Sequence, residues 1–163
     1  MRVEDRELAE RVLAAARGRG LRLAVAESDT GGLVLAWLVA VPGSSAAVVG
    51  GVVAYDDHLK VQLLGVAPDL IREHGAVSAA VAGAMASGLR QRVGCDLALA
   101  GTGIAGPGGA RPGKPVGLAF VAAAQADHEA VVREYHWPGA RSDNQRASAR
   151  AMLSLGLELL QNA

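Results

Sequence analysis

The chain has few aromatic residues: two Trp, two Tyr and one Phe make up 3% of its 163 residues. Its core must be built from Ala, Val and Leu, and aromatic platforms for stacking bases are scarce. A single cysteine, Cys95, excludes an internal disulfide and a cysteine-built metal site. Formal net charge is zero, from 16 basic and 16 acidic residues, and no basic run appears. Balanced charge and missing platforms argue against nucleic acid as a partner. No apolar stretch reaches the roughly 20 residues of a membrane helix, so no membrane partner is expected. The charged start (Arg2, Glu4, Asp5, Arg6, Glu7) is unlike a signal peptide, and the expected compartment is the cytoplasm. His58, His74, His128 and His136 show no ligand spacing, so no metal is expected.

What the chain does have is apolar bulk and glycine. The hydrophobic fraction is 51%, and the 21 glycines stand in discrete clusters. The length suits one domain over 1–163. Residues 4–17 read as an amphipathic helix with Leu8, Ala9, Val12, Leu13 and Ala16 on one stripe. A buried strand over 21–26 then leads into Glu27-Ser28-Asp29-Thr30-Gly31-Gly32, and an apolar helix follows to the turn at Pro42-Gly43. This order places Ser28 at a strand's carboxyl end beside the free N–H groups of a helix start, where open α/β sheets place ligands. Asp29 or Thr30 is the expected N-cap, and Gly31-Gly32 would let a ligand approach the backbone. A capping cluster without chemistry explains the same residues.

Residues 46–55 read as a strand whose Gly50-Gly51 pair signals a bulge or a close backbone approach. Asp56-Asp57 caps a short helix from Leu59 to Leu64. Lys60 falls in its first turn, where the macrodipole disfavours a cation and favours the free amine that a base needs. A solvated surface lysine is the plain alternative. Short helical patterns follow over Pro68–His74 and, capped by Ser78, over Ala79–Val93, where Val81, Met85 and Leu89 mark the core side. Cys95–Ala100 reads as a third buried strand, with Cys95 as small apolar packing.

The loop Gly101–Pro115 spells GxGxxG at Gly101, Gly103 and Gly106, but Pro107 forbids the helix a dinucleotide fingerprint requires. It also spells GxxxxGK at Gly108–Lys114, but Pro115 stands where a phosphate loop needs Ser or Thr. What remains is a glycine loop whose N–H groups can cradle an anion, with Thr102 as a hydroxyl donor. Strands over 116–124 and 130–136 flank a turn at Asp127-His128-Glu129 and should pair antiparallel. Ser142-Asp143-Asn144-Gln145 fits a capping box for a last helix, with Ala147, Ala151, Leu155 and Leu159 as its buried stripe. Arg141, just before that cap, can grip a phosphate, whereas Arg150 reads as a solvated face.

Several of these blocks together carry a resemblance. Ala26-Glu27-Ser28-Asp29-Thr30-Gly31-Gly32, Val41-Pro42-Gly43-Ser44-Ser45, Gly50-Gly51-Val52-Val53-Ala54-Tyr55 with Lys60 and Leu64-Gly65-Val66, His74-Gly75-Ala76-Val77-Ser78, Gly101–Gly109 and Lys114-Pro115-Val116-Gly117 resemble the CinA C-terminal domain family over nearly the whole chain. The resemblance implies an α/β fold, a three-layer α/β/α sandwich with a mixed sheet. It also implies a homo-oligomer with no metal or organic cofactor. The family includes nicotinamide-nucleotide amidases, which turn nicotinamide mononucleotide into nicotinate mononucleotide and ammonia. By that resemblance Ser28 is the nucleophile, and Lys60 and Tyr55 complete the catalytic set. Thr30, Gly31 and Gly32 would bind the oxyanion. Thr102, Gly103 and Arg141 would hold the ribose and phosphate of a pyridine mononucleotide. The chain departs from the family at Asp29, where Cys is common, at Ala140, where Asp is common, and at Gln145, where Arg often stands beside the position of Arg146. These changes bear on activity and substrate more than on fold. Two other functions stay open: a nucleotide-binding regulatory module without turnover, and an amidase for another small amide.

Overall fold

Alternation inside the strands decides the layers of this molecule. In the computed structural model, which describes residues 1–162, the chain runs α1 (Val3–Gly18), β1 (Leu23–Glu27), α2 (Leu33–Val39), β2 (Val48–Val53), α3 (Asp57–Leu64), α4 (Pro68–His74), α5 (Ala79–Val93), β3 (Leu97–Gly103), β4 (Leu118–Gln125), β5 (Val131–His136) and α6 (Arg141–Asn162). Leu23 and Val25 of β1, Leu97 and Leu99 of β3, and Val121 of β4 point to one face, where they pack on α1, α2 and α6. Ala24, Ala26, Ala98, Ala100, Ala122 and Ala124 point to the other, where α5 brings Ala82, Met85 and Ala86. The small residues on that face let helix and sheet lie close, and α5 is equally close to α3. A Cβ on Gly88 would stand 1.7 Å from the Leu64 carbonyl oxygen, so only glycine fits that crossing.

The five strands form one sheet in the order β2-β1-β3-β4-β5. β1 pairs parallel with β2 and β3, whereas β3–β4 and β4–β5 pair antiparallel. The result is a three-layer α/β/α sandwich on a mixed sheet, as the resemblance implies. The expected bulge is present: the β1–β2 register slips between Leu23 and Ala24, and Gly51 lies against Val25. β3 runs on to Gly103, further than apolarity alone indicated, because Thr102 and Gly103 still pair with Phe120 and Ala119.

The last helix differs from expectation at its start. Arg141, Ser142 and Asp143 are already helical, so Ser142 is no cap. The Asn144 side chain, one turn inside the helix, instead ties down the incoming chain, accepting from the Gly139 N–H at 2.9 Å. Ala151 and Leu155 are buried as expected, while Ala147 and Leu159 are only partly covered because the buried face is broader than one stripe. Arg150 is not a solvated residue: it meets Asp5 at 2.5 Å and Glu4 at 2.7 Å. Arg146 reaches Asp5 at 2.8 Å and lies over the Trp37 ring, so both arginines tie α6 to α1. Asp5 is fully buried yet satisfied by these guanidinium groups and the Arg2 N–H. Among the described residues no helix is long and apolar enough to cross a membrane.

Candidate active site

β1 ends at Glu27, and the turn after it builds the site. Gly31 and Gly32 take left-handed φ values of 64° and 99°, which a side chain would strain. This bend carries the start of α2 back over Glu27, whose side chain is 1% exposed. One carboxylate oxygen accepts from the Gly32 N–H at 3.1 Å, the Val34 N–H at 3.0 Å and the Thr30 hydroxyl at 2.7 Å. The other accepts from the Leu35 N–H at 2.9 Å. Glu27 thus caps α2 in place of the expected Asp29 or Thr30, and a negative charge at a helix start is the favoured sign. The Gly31 N–H donates to the Ser28 carbonyl. So Gly31, Gly32 and the Thr30 side chain are engaged internally and lie away from the cleft, a correction to their expected role as substrate binders. The Thr30 N–H has no acceptor in another of the described residues, whereas the Asp29 N–H donates to its own carboxylate.

The cleft itself is about 560 Å³ and opens at the carboxyl ends of β1 and β3. Ser28, Tyr55, Lys60, Thr102, Gly103 and Arg141 all line it, so six of the expected residues do meet in one place. Ser28 is 7% exposed and Lys60 1%, both held at the wall. Asp56 caps α3 through the His58 N–H, as its sequence position indicated. One turn in, the Lys60 amine donates to Asp57 at 3.1 Å and to the Tyr55 carbonyl at 3.3 Å. The solvated-lysine alternative is excluded by the burial of Lys60. Tyr55 therefore meets Lys60 through its backbone. Its phenol is exposed and accepts from Arg141 at 3.1 Å. Arg141 also donates to the Gly106 carbonyl at 2.8 Å, which sets its guanidinium at the lip of the glycine loop.

Thr102 donates its hydroxyl proton to the Ala76 carbonyl at 3.0 Å, so it offers an incoming ligand lone pairs rather than a donor. Lys114 straps the loop down by donating to the carbonyls of His74 and Val77. Asn144 holds the Ala105 carbonyl at 3.1 Å from the α6 side. Cys95 lies apart from the cleft and is 4% exposed, where burial pushes its thiol up.

Asp29 points inward. It lines the cleft at 5% exposure, and its Oδ1 has no hydrogen-bond partner among the described residues. Burial pushes its carboxyl from the ordinary 3.8 to about 6; its own N–H, the Ser148 hydroxyl and Arg141 pull it down and Glu27 pushes it up. The consequence for stability has a definite sign. The folded protein keeps this proton where the unfolded chain has lost it, so the contribution of Asp29 to stability is greatest below about 3.8 and is lost as pH rises through about 6. A raise of this size corresponds to about 3 kcal/mol once Asp29 is ionised. Asp29→Asn is expected to raise the melting temperature at pH 7.5 by about 5–10 °C. The gain should vanish near pH 4, as read from paired thermal melts; identical curves at both pH values would contradict the buried charge.

Sequence reasoning missed Glu27 as the cap, Asp57 as the partner of Lys60 and Asn144 as a clamp. Only Asp57 left a signal, its i,i+3 spacing from Lys60. Fold and cleft define a class: a three-layer α/β/α domain that carries a serine and a buried lysine at the carboxyl edge of its sheet. The chain belongs to the CinA C-terminal domain family, whose model matches residues 5–160. It is 48% identical over 143 residues to a CinA-like protein of Mycobacterium sp. (strain JLS), covering 88% of this chain and 34% of that protein. It is 50% identical over 136 residues to a CinA-like protein of Mycolicibacterium gilvum, covering 83% of this chain and 32% of that protein. The chain spans about a third of the length of these curated relatives. Among solved structures it is similar to the competence/damage inducible protein CihA from Agrobacterium tumefaciens, at 36% identity and a TM-score of 0.95, over 99% of this chain and 98% of that one. It is also similar to a CinA superfamily protein from Klebsiella pneumoniae, at 31% identity and a TM-score of 0.93, over 98% of this chain and 99% of that one.

Proposed function

We propose that this domain is an amidohydrolase, and that its substrate is nicotinamide mononucleotide. The observation that carries the reading is the burial of Ser28 and Lys60 in the wall of one cleft. A serine hydroxyl is a weak nucleophile until a base takes its proton. Lys60 is that base, and Asp57 and the Tyr55 carbonyl position its amine. As Ser28 Oγ bonds the carboxamide carbon, its proton passes to Lys60 Nζ. The carbon–nitrogen bond then breaks, and Lys60 returns the proton to the departing nitrogen, which leaves as ammonia. Water attacks the resulting ester, again losing a proton to Lys60, and the proton goes back to Ser28 as the acid is released. The Thr30 N–H, unclaimed by any other described residue, is the oxyanion donor on this reading, in place of Gly31 and Gly32. Arg141 and the N–H groups of the glycine loop hold the phosphate, while the Thr102 lone pairs take a ribose hydroxyl. The mechanism calls on no metal or organic cofactor. The working protein is a homo-oligomer on the same reading.

The buried Asp29 carboxylate favours a second reading, a module that binds the nucleotide without turnover, because a charge there opposes an oxyanion. Ammonia release decides between them. Purified protein is expected to release ammonia from nicotinamide mononucleotide and far less from amides that lack the phosphate. Calorimetric binding of the mononucleotide with no ammonia would establish the binding module instead. Equal release from amides without phosphate would leave an amidase of other specificity.

A further inference from the structure

Two buried aspartates in this chain contrast sharply. Asp5 is fully buried and has three partners for its two oxygens. Asp29 is 5% exposed, and one of its oxygens has none. Oδ1 holds nothing in the fold: the Ser148 hydroxyl and Asp29's own N–H act on the carboxylate without giving Oδ1 a partner, and the backbone carbonyl ties the turn to α6, accepting from Gln145 at 2.7 Å. A buried acceptor without a donor is costly and calls for an explanation. Asp29 follows Ser28 directly and lines the same cleft wall. Gly103 opposite it has room for no side chain, because a Cβ there would stand 2.8 Å from Asp29 Oδ2. The Asp29 carboxylate is therefore held in the cleft wall beside the nucleophile in the chain, its Oδ1 buried and without a partner among the described residues.

We propose that Asp29 discriminates between carboxamide and carboxylate, accepting an N–H from the substrate amide and repelling the acid that hydrolysis leaves behind. This deepens the amide-hydrolase reading above and rests on it. An amide offers two N–H groups beside the carbon that Ser28 attacks, and a carboxylate offers none. The acid also places a second negative charge against one already poorly solvated, and like charges at such range disfavour each other strongly. Product is cleared by the same residue that selects substrate.

The groups around Asp29 set its charge. Glu27 stands behind it on β1, and Arg141 and Ser148 face it from α6. Lys60 and Asp57 on α3 share its cleft, and the facing stretch of β3, Thr102-Gly103, brings no ionisable side chain. Below about pH 6 the Asp29 carboxyl holds a proton, can donate it toward a carboxylate, and loses its preference.

The test is binding to the Ser28→Ala protein, which should not consume either ligand. Calorimetry at pH 8 and pH 5 measures Kd for nicotinamide mononucleotide and nicotinate mononucleotide. Their phosphates ionise alike, so the acid-to-amide Kd ratio isolates the cleft. The ratio is expected to favour the amide by about tenfold or more at pH 8. It should fall to within about twofold at pH 5, and at both pH values when Asp29→Asn is added. A ratio unmoved by pH and by Asp29→Asn overturns the proposal. Nicotinamide against nicotinate at pH 8 separates the two layers. If that pair shows the Asp29-dependent preference while the mononucleotides do not bind, the discriminator stands and the substrate reading falls. If no acid–amide pair shows it, the discriminator falls whatever the ammonia assay gives.

Discussion

Glu27→Ala is expected to remove about 4 kcal/mol of folding stability, a large part of what a domain of this size has. The reason is the number of donors on one buried carboxylate. The N–H groups of Gly32, Val34 and Leu35 and the hydroxyl of Thr30 all converge on it. Alanine strands them together, and at 1% exposure at this position water has no ready way in. Ordinary loss of an N-cap costs about 1 kcal/mol, because solvent replaces it. Glu27→Gln keeps one carbonyl oxygen but turns an NH₂ toward donors, so it should fall between the two. Urea unfolding measures the loss, and amide exchange locates it. Val34 and Leu35 should exchange faster, well before the strands open. A loss under about 1 kcal/mol with slow exchange at both amides would mean that something other than Glu27 caps α2.

This residue also shows where sequence reading stops. Glu27 was visible only as the polar end of an apolar run, and no spacing rule connects it to N–H groups five to eight residues on. The bend at Gly31 and Gly32 makes the connection, and their positive φ values become legible only in three dimensions. The same glycines had looked like an opening for a ligand. The sheet and layers were easier. Leu and Val alternating with Ala in Leu23–Ala26 and Leu97–Ala100 already encoded one bulky and one close-packed face. Val81, Met85 and Leu89 encoded the helix that fits the close face. Ser28 at a strand end was legible because strand, turn and helix follow in order. Lys60 was half legible: its place in the first turn could be counted, but its burial depends on α5 and the β2–α3 connection. The role of Asn144 was hidden by a plausible capping box, because Ser142 and Gln145 fit the pattern while α6 begins two residues before the start that a Ser142 cap would give. The direction of Asp29 was not legible at all. It is fixed by Gly103, a residue 74 positions away that makes room for its carboxylate.

Lys60→Met is expected to separate activity from folding, lowering turnover by about 10³–10⁴-fold while leaving the domain folded. Methionine keeps an unbranched stem in a space that lysine fills at 1% exposure, so the packing loss is small. Asp57, the partner left behind, is 55% exposed at its side chain and can return to water. Replacing a buried polar side chain by an apolar one of similar volume is often neutral or stabilising. The thermal midpoint should therefore hold or rise as turnover falls. Ser28→Ala should lower turnover to the same residual rate, and the double variant should be no slower than either single one. That equality is the signature of two groups acting as a unit, because a base with no nucleophile to deprotonate contributes nothing. Losses that multiply in the double variant would assign Ser28 and Lys60 to separate steps. Turnover that survives Lys60→Met would move the base elsewhere in the cleft and leave the buried amine a structural part of α3.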